Sequence, residues 1–153
     1  RGVGGGVGAQ HAAPLPTLSP DELRRQARPG DYLAILAYLP PFPDVAARLQ
    51  AVRAAWGRAL GGGEGGGCAT TLGFGPRYLH STGQLHKGGP NSGLFLVVTA
   101  DDAQDFEIPE MGHTFGELKA AQARGDMKAL LARGRRVAHV HLANGEDLSA
   151  LAP

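Results

Sequence analysis

Between residues 73 and 93 the chain reads GFGPRYLHSTGQLHKGGPNSG, the stretch whose residue types are best suited to chemistry. His80 carries an imidazole whose ordinary pKa of about 6.5 suits proton transfer at neutral pH, and Ser81, Gln84 and Lys87 are near enough in sequence to orient its ring. Arg77 and Lys87 bring positive charge. Ser81 and Thr82 bring hydroxyls, which together with backbone N–H groups can hold a phosphate if a helix begins near His80. His86 either orients the loop or hydrogen-bonds the ligand. The expectation is a site for a polar, anionic small molecule, with His80 as acid or base and Arg77, Ser81, Thr82, Gln84, His86 and Lys87 as binding groups.

Other polar clusters carry less. A metal site built on His80 and His86 needs a third ligand from His113, Asp101, Asp102 or Glu110, so no metal is expected. His139 and His141 share one strand face with no third ligand close in sequence and read as solvated. Asp101, Asp102 and Asp105 read as a solvated turn, and Lys119 as an exposed helix lysine. The glycines of residues 61–67 precede no Gly-Lys-Ser/Thr and match no phosphate loop. Cys68 reads as a buried thiol at a strand start.

The elements around the loop follow from periodicity and breakers. Ser19, Pro20 and Glu22 form a capping box for a short helix that ends before Pro29. Residues 31–39 (DYLAILAYL) are a nearly continuous apolar run, as in a parallel strand covered on both faces. Asp44 can cap a second helix whose Val45, Leu49, Val52, Trp56 and Leu60 recur on one face. Residues 68–74 and 94–99 read as further buried strands. Thr114 and Glu117 form a second capping box, Asp126 is expected to cap a separate helical turn ended by Gly134, and residues 135–142 read as an edge strand with Val137, His139 and His141 on one face. This order predicts an α/β layered sandwich with a small, mostly parallel sheet of about four strands flanked by helices. The candidate loop then leaves the carboxyl end of a strand, where ligands bind in open α/β sheets.

Composition narrows the partners. The chain has 153 residues, 42% of them hydrophobic, which suits one domain over residues 18–153, preceded by a Gly/Ala/Pro-rich linker over residues 1–17. That linker reads as a tether, as in a piece of something longer. With 15 basic and 14 acidic residues spread along the chain, there is no basic stripe for nucleic acid. No apolar run approaches the roughly 18 residues of a membrane span, the first eight residues lack the core of a secretion signal, and one cysteine excludes an internal disulfide. A cytoplasmic protein is expected.

The stretch GFGPRYLHSTGQLHKGGPNSGLFLVVTADD, followed by HTFGELKAAQARGD and GRRVAHVHL, resembles the carboxy-terminal part of the bifunctional transaldolase/glucose-6-phosphate isomerase fusion enzymes. The likeness covers roughly residues 30–142. The run LHSTGQ at residues 79–84 is also similar to the Leu-His-Ser-x-Gly-Gln segment of bacterial phosphoglucose isomerases. The resemblance implies exchange of glucose 6-phosphate and fructose 6-phosphate without metal or organic cofactor, His80 as the ring-opening acid/base and Gln84 as its neighbour in the sugar site. The family moves a proton between C1 and C2 with a Glu in a Glu-Ser-x-Gly-Lys motif that this sequence lacks, and Glu64, Glu107, Glu110 and Glu117 sit in no matching motif. The remaining parts of the site are therefore expected from upstream isomerase/transaldolase domains or from another chain. Two other readings stay open: a non-catalytic sugar-phosphate-binding or assembly domain, and a metal-dependent hydrolase using His80 and His86.

Overall fold

The structure is a computed structural model that describes residues 13–61, 67–145 and 147–153. Residues 1–12 of the expected linker and 62–66 of the Gly-rich loop lie outside the described residues. The elements run α1 (Pro20–Arg25), β1 (Tyr32–Tyr38), α2 (Pro43–Leu60), β2 (Ala69–Phe74), a 3-10 turn (Arg77–His80), α3 (Thr82–Gly88), β3 (Gly93–Ala100), α4 (Phe115–Ala132) and β4 (Arg136–Leu142). The four strands form one sheet in the order β2-β1-β3-β4, and every pairing is parallel. The α/β class and the four-stranded parallel sheet agree with the sequence expectation.

Strand alternation sorts the core into two layers. Leu33, Ile35 and Ala37 of β1, with Leu94, Leu96 and Val98 of β3, pack under Leu23 of α1 and Val45, Leu49 and Trp56 of α2. Ala34, Leu36 and Tyr38, with Phe95 and Val97, face Tyr78 and the Ala123, Met127 and Leu130 stripe of α4. Both faces are covered, which is why β1 and β3 contain almost no polar residue. The buried Trp56 indole donates to the Leu151 carbonyl at 2.7 Å and pins the carboxyl end of the described chain to α2. A bidentate pair of Arg136 with Asp31, at 2.6 and 2.9 Å, ties the start of β4 to the start of β1.

The helix starts follow their capping chemistry. Ser19 Oγ accepts from the Glu22 amide at 3.2 Å while Glu22 accepts from the Ser19 amide at 2.7 Å, and Thr114 with Glu117 repeat the arrangement at 3.1 and 3.0 Å. Two expectations are corrected. The N-cap position of the second helix is Phe42, which offers no side-chain cap, with Pro43 at the first position, so Asp44 lies inside the first turn. Asp126 caps nothing: α4 runs unbroken past it, because its carboxylate is turned inward to partners on another element instead of back to its own helix backbone. The helix ends at Arg133 with Gly134 at φ 68°, the Gly134 amide bonding to Leu131 and the Arg135 amide to Leu130.

The segment before α1 is seated on the domain from Leu15 onward, inside the stretch expected to be a tether. Leu15 packs against the α4-side layer, and Leu18 bridges Ala138 in parallel. Among the described residues no helix is long and apolar enough to cross a membrane.

Asp126 is the one buried carboxylate of the described core. Tyr78 donates its hydroxyl to Asp126 Oδ2, and Lys87 Nζ lies 2.5 Å from Oδ1. Removing one member of a buried pair strands the other. Asp126→Ala is therefore expected to cost about 3 kcal/mol of unfolding free energy in a urea titration. A loss within about 0.5 kcal/mol, the size of an ordinary surface change, would mean the pair is not what joins these elements.

Candidate functional site

The expected site begins where β2 ends. Gly75 comes so close to β1 that a Cβ there would lie 2.5 Å from the Tyr38 ring, so the chain can turn here only on glycine. The 3-10 turn then drives Tyr78 inward between Gly73 and Gly83, with its hydroxyl 3.1 Å from that of Tyr38. Burial pushes the Tyr38 hydroxyl up to about 12, and burial followed by the Asp126 carboxylate pushes Tyr78 higher still. Both phenols stay neutral donors.

With Tyr78 anchored, its neighbours stand outside. Arg77, His80, Ser81, Thr82 and Gln84 are all exposed. Ser81 Oγ donates to the Tyr78 carbonyl at 3.2 Å and Gln84 Nε2 to the Leu79 carbonyl at 3.2 Å, so these two side chains brace the turn. Among the described residues, no hydrogen bond or ion pair engages the side chain of His80, Arg77 or Thr82. Five of the seven expected site residues thus form one exposed ridge.

The other two are placed differently. His86 is 3% exposed; its Nδ1 lies 2.8 Å from the Tyr32 hydroxyl and its ring packs against Tyr32 and Phe95. Lys87 is turned to Asp126. The correction has a simple cause. A Gly-rich loop leaves both side chains open to a ligand, whereas residues 82–88 form a helix that puts Gly83, His86 and Lys87 on its inner side by the i, i+3, i+4 rule. Arg135 donates to the carbonyls of His86, Lys87 and Gly89 at 3.0, 3.0 and 2.6 Å and closes the helix end.

A second polar place, missed in sequence, lies at the carboxyl ends of β1, β3 and β4 beside α4. It is a crevice of about 660 Å³ lined by Tyr38, Thr99, Asp101, Lys119, His139 and His141 among others. The register sets Thr99 directly against His141, on the face that β3 and β4 turn toward α4. Thr99 Oγ1 is 2.8 Å from His139 Nε2 and 2.8 Å from His141 Nδ1, and His141 Nε2 is 3.0 Å from Asp101 Oδ1. Lys119 is paired with Asp102. The His139 and His141 face was visible in the alternation. What sequence could not supply was the pairing that sets Thr99 between them. Burial, and then His141, hold the His139 imidazole below its usual range. Among the described residues no group of three or more His, Cys, Asp or Glu is placed to hold a metal ion.

No family model matches the chain, and no curated protein matches it. Among solved structures it is similar to a hypothetical protein from Thermus thermophilus, at 23% identity and a TM-score of 0.65. The match covers 86% of this chain and 33% of that one, so the chain spans about a third of that protein's length. The likeness shows the fold.

The buried imidazoles make stability depend on pH. His86 is held low by burial first, with Asp126 opposing and Lys87 adding, and His139 by burial and His141. Their folded pKa values lie below the unfolded one, so the unfolded chain binds more protons as pH falls. Stability is complete above the unfolded value of about 6.5 and is lost as pH drops below it. Melting temperatures from about pH 7.5 to about pH 5 should fall, and His139→Gln should flatten that fall. An unchanged profile in the variant would exclude His139 as a source.

Proposed function

We propose that this chain is the carboxy-terminal domain of a sugar-phosphate aldose–ketose isomerase that exchanges glucose 6-phosphate and fructose 6-phosphate. It presents His80 to a composite site whose general base comes from upstream or from another chain. The observation that carries this reading is the state of His80: exposed, on a turn anchored by Tyr78, with no hydrogen bond or ion pair among the described residues. A histidine kept for assembly alone would have its ring nitrogens engaged in its own fold. An acid/base that opens a sugar ring needs one nitrogen free for the ring oxygen.

The neighbouring groups support the same reading. Arg77 and Thr82 are exposed beside His80 and offer a guanidinium and a hydroxyl to a phosphorylated sugar. Gln84, braced to the Leu79 carbonyl, keeps its amide oxygen for a sugar hydroxyl. Proton abstraction next to a carbonyl needs a base, and none of the Glu-containing family motif is in this sequence, so the partner portion supplies it. No cofactor or metal enters the scheme.

A second reading, a non-catalytic sugar-phosphate-binding or assembly module, draws on a different observation. Phe106, Met111, Phe115 and Leu118 are all exposed on the segment from β3 into α4, large apolar side chains of the kind that meet other protein. The two readings separate in a coupled assay of fructose 6-phosphate conversion by the chain alone, by the chain with its upstream portion restored, and by His80→Ala in both. The isomerase reading expects activity only in the restored protein and a loss of at least about a hundredfold on His80→Ala, the size of a lost acid/base. Activity indifferent to His80 would assign the chain to assembly.

A further inference from the structure

The crevice at the carboxyl ends of β1, β3 and β4 contains a hydrogen-bond chain with one consistent proton arrangement when both imidazoles are neutral. The Asp101 carboxylate only accepts, so His141 Nε2 carries the hydrogen and donates across 3.0 Å. His141 Nδ1 is then an acceptor and takes the Thr99 hydroxyl proton at 2.8 Å. Thr99 Oγ1 in turn accepts from His139 Nε2 at 2.8 Å, which leaves the free lone pair of the chain on His139 Nδ1.

The arrangement reverses when one proton is added. If His139 Nδ1 takes it up, the Nε2 proton can pass to Thr99 Oγ1 and the Thr99 proton to His141 Nδ1, with no heavy atom displaced. The charge then rests on His141, against the Asp101 carboxylate, and His139 is neutral again with its hydrogen on Nδ1. Burial around His139 disfavours a charge there, and the Asp101 carboxylate lies 3.0 Å from His141 Nε2. The crevice therefore offers an acceptor at neutral pH and a donor in acid.

The lining sets the class of ligand. Around the chain stand Tyr38 from β1, Asp102 and Asp105 from the segment after β3, and Glu117, Lys119 and Arg124 from α4. Lys119 is spent on Asp102, and Arg124 donates to the Ala13 carbonyl at 2.6 Å. Carboxylates outnumber cations, so a phosphate is repelled, while acceptors call for hydroxyl donors. Leu15, Ala123 and Met127 supply an apolar wall for the face of a ring. The volume of about 660 Å³ suits a small molecule, and the chain crosses from the β2 side of β1 to its β3 side beside this point, where open sheets bind ligands.

We propose that this crevice is a second small-molecule site, separate from His80, that takes an uncharged polyhydroxylated ligand through the Asp101–His141–Thr99–His139 chain and releases it in acid. The test is imidazole 15N–1H correlation spectroscopy on the whole chain, with D-fructose and inorganic phosphate as probes and with wild type and Thr99→Val. At about pH 7.5 D-fructose should shift the His139 and His141 signals saturably and phosphate should leave them unmoved; at about pH 5.5 the D-fructose response should weaken. Thr99→Val, which cuts the chain, should weaken binding about tenfold, as for one lost hydrogen-bond group. Shifts with phosphate but not D-fructose would overturn the ligand class. No response to D-fructose, or a response independent of pH in the wild type, would overturn the site even if the variant failed to fold.

Discussion

One buried carboxylate holds the polar half of this domain in place. Asp126 projects from the middle of α4 and receives a hydroxyl from Tyr78 and an ammonium from Lys87, residues on either side of the turn that carries His80. A carboxylate at 4% exposure is tolerable only with such partners, and the geometry supplies both a neutral donor and a counter-charge. The consequence reaches the surface. With Tyr78 drawn down and Lys87 drawn in, Arg77 before them and His80, Ser81, Thr82 and Gln84 between them stand exposed, while Gly83 and His86 turn inward. Tyr38, bonded to Tyr78, carries the same network to the wall of the second crevice.

The architecture was legible because its signals are local and redundant. Apolar runs with no alternation in β1 and β3 state that both sheet faces are covered, and the capping boxes at Ser19 and Thr114 mark helix starts by hydrogen-bonding chemistry alone. The edge position of β4 followed from its mixed pattern of Val137, His139 and His141 against Ala138, Val140 and Leu142. Errors arose where a residue's partner is distant in sequence. Asp126 looks like a helix cap because carboxylates at helix starts are common, and nothing nearby discloses that its partners lie at residues 78 and 87. His86 and Lys87 looked like site groups because a Gly-rich segment reads as loop; the short helix that turns them inward is held by Arg135, 46 to 49 residues away.

The candidate site divides along the same line. His80 stands out by its residue type and its setting after a strand, both local signals. The Thr99, His139 and His141 cluster needed the β3–β4 register, which no single-sequence pattern specifies. That Thr99 and His141 are paired across the sheet, one row from Asp101, decides whether these side chains are a solvated strand face or a connected chain.

The two polar places also differ in how their hydrogen-bonding capacity is used, and that difference bears on what each can do. In the crevice the donors and acceptors are linked to one another, so a ligand meets a pre-set polarity that one proton can reverse. On the ridge, His80 and Arg77 have no intramolecular partners among the described residues, so their capacity is available in full to whatever approaches. Keeping such groups uncommitted forgoes the stability that internal pairing would add. The apolar side chains of Phe106, Met111, Phe115 and Leu118 meet the same condition, exposed on a segment braced by the Asp105 carboxylate at the start of α4. The polar and apolar groups left open thus sit on supports fixed from within, the turn by Tyr78 and Asp126 and the start of α4 by Asp105, so their positions are set before anything approaches them.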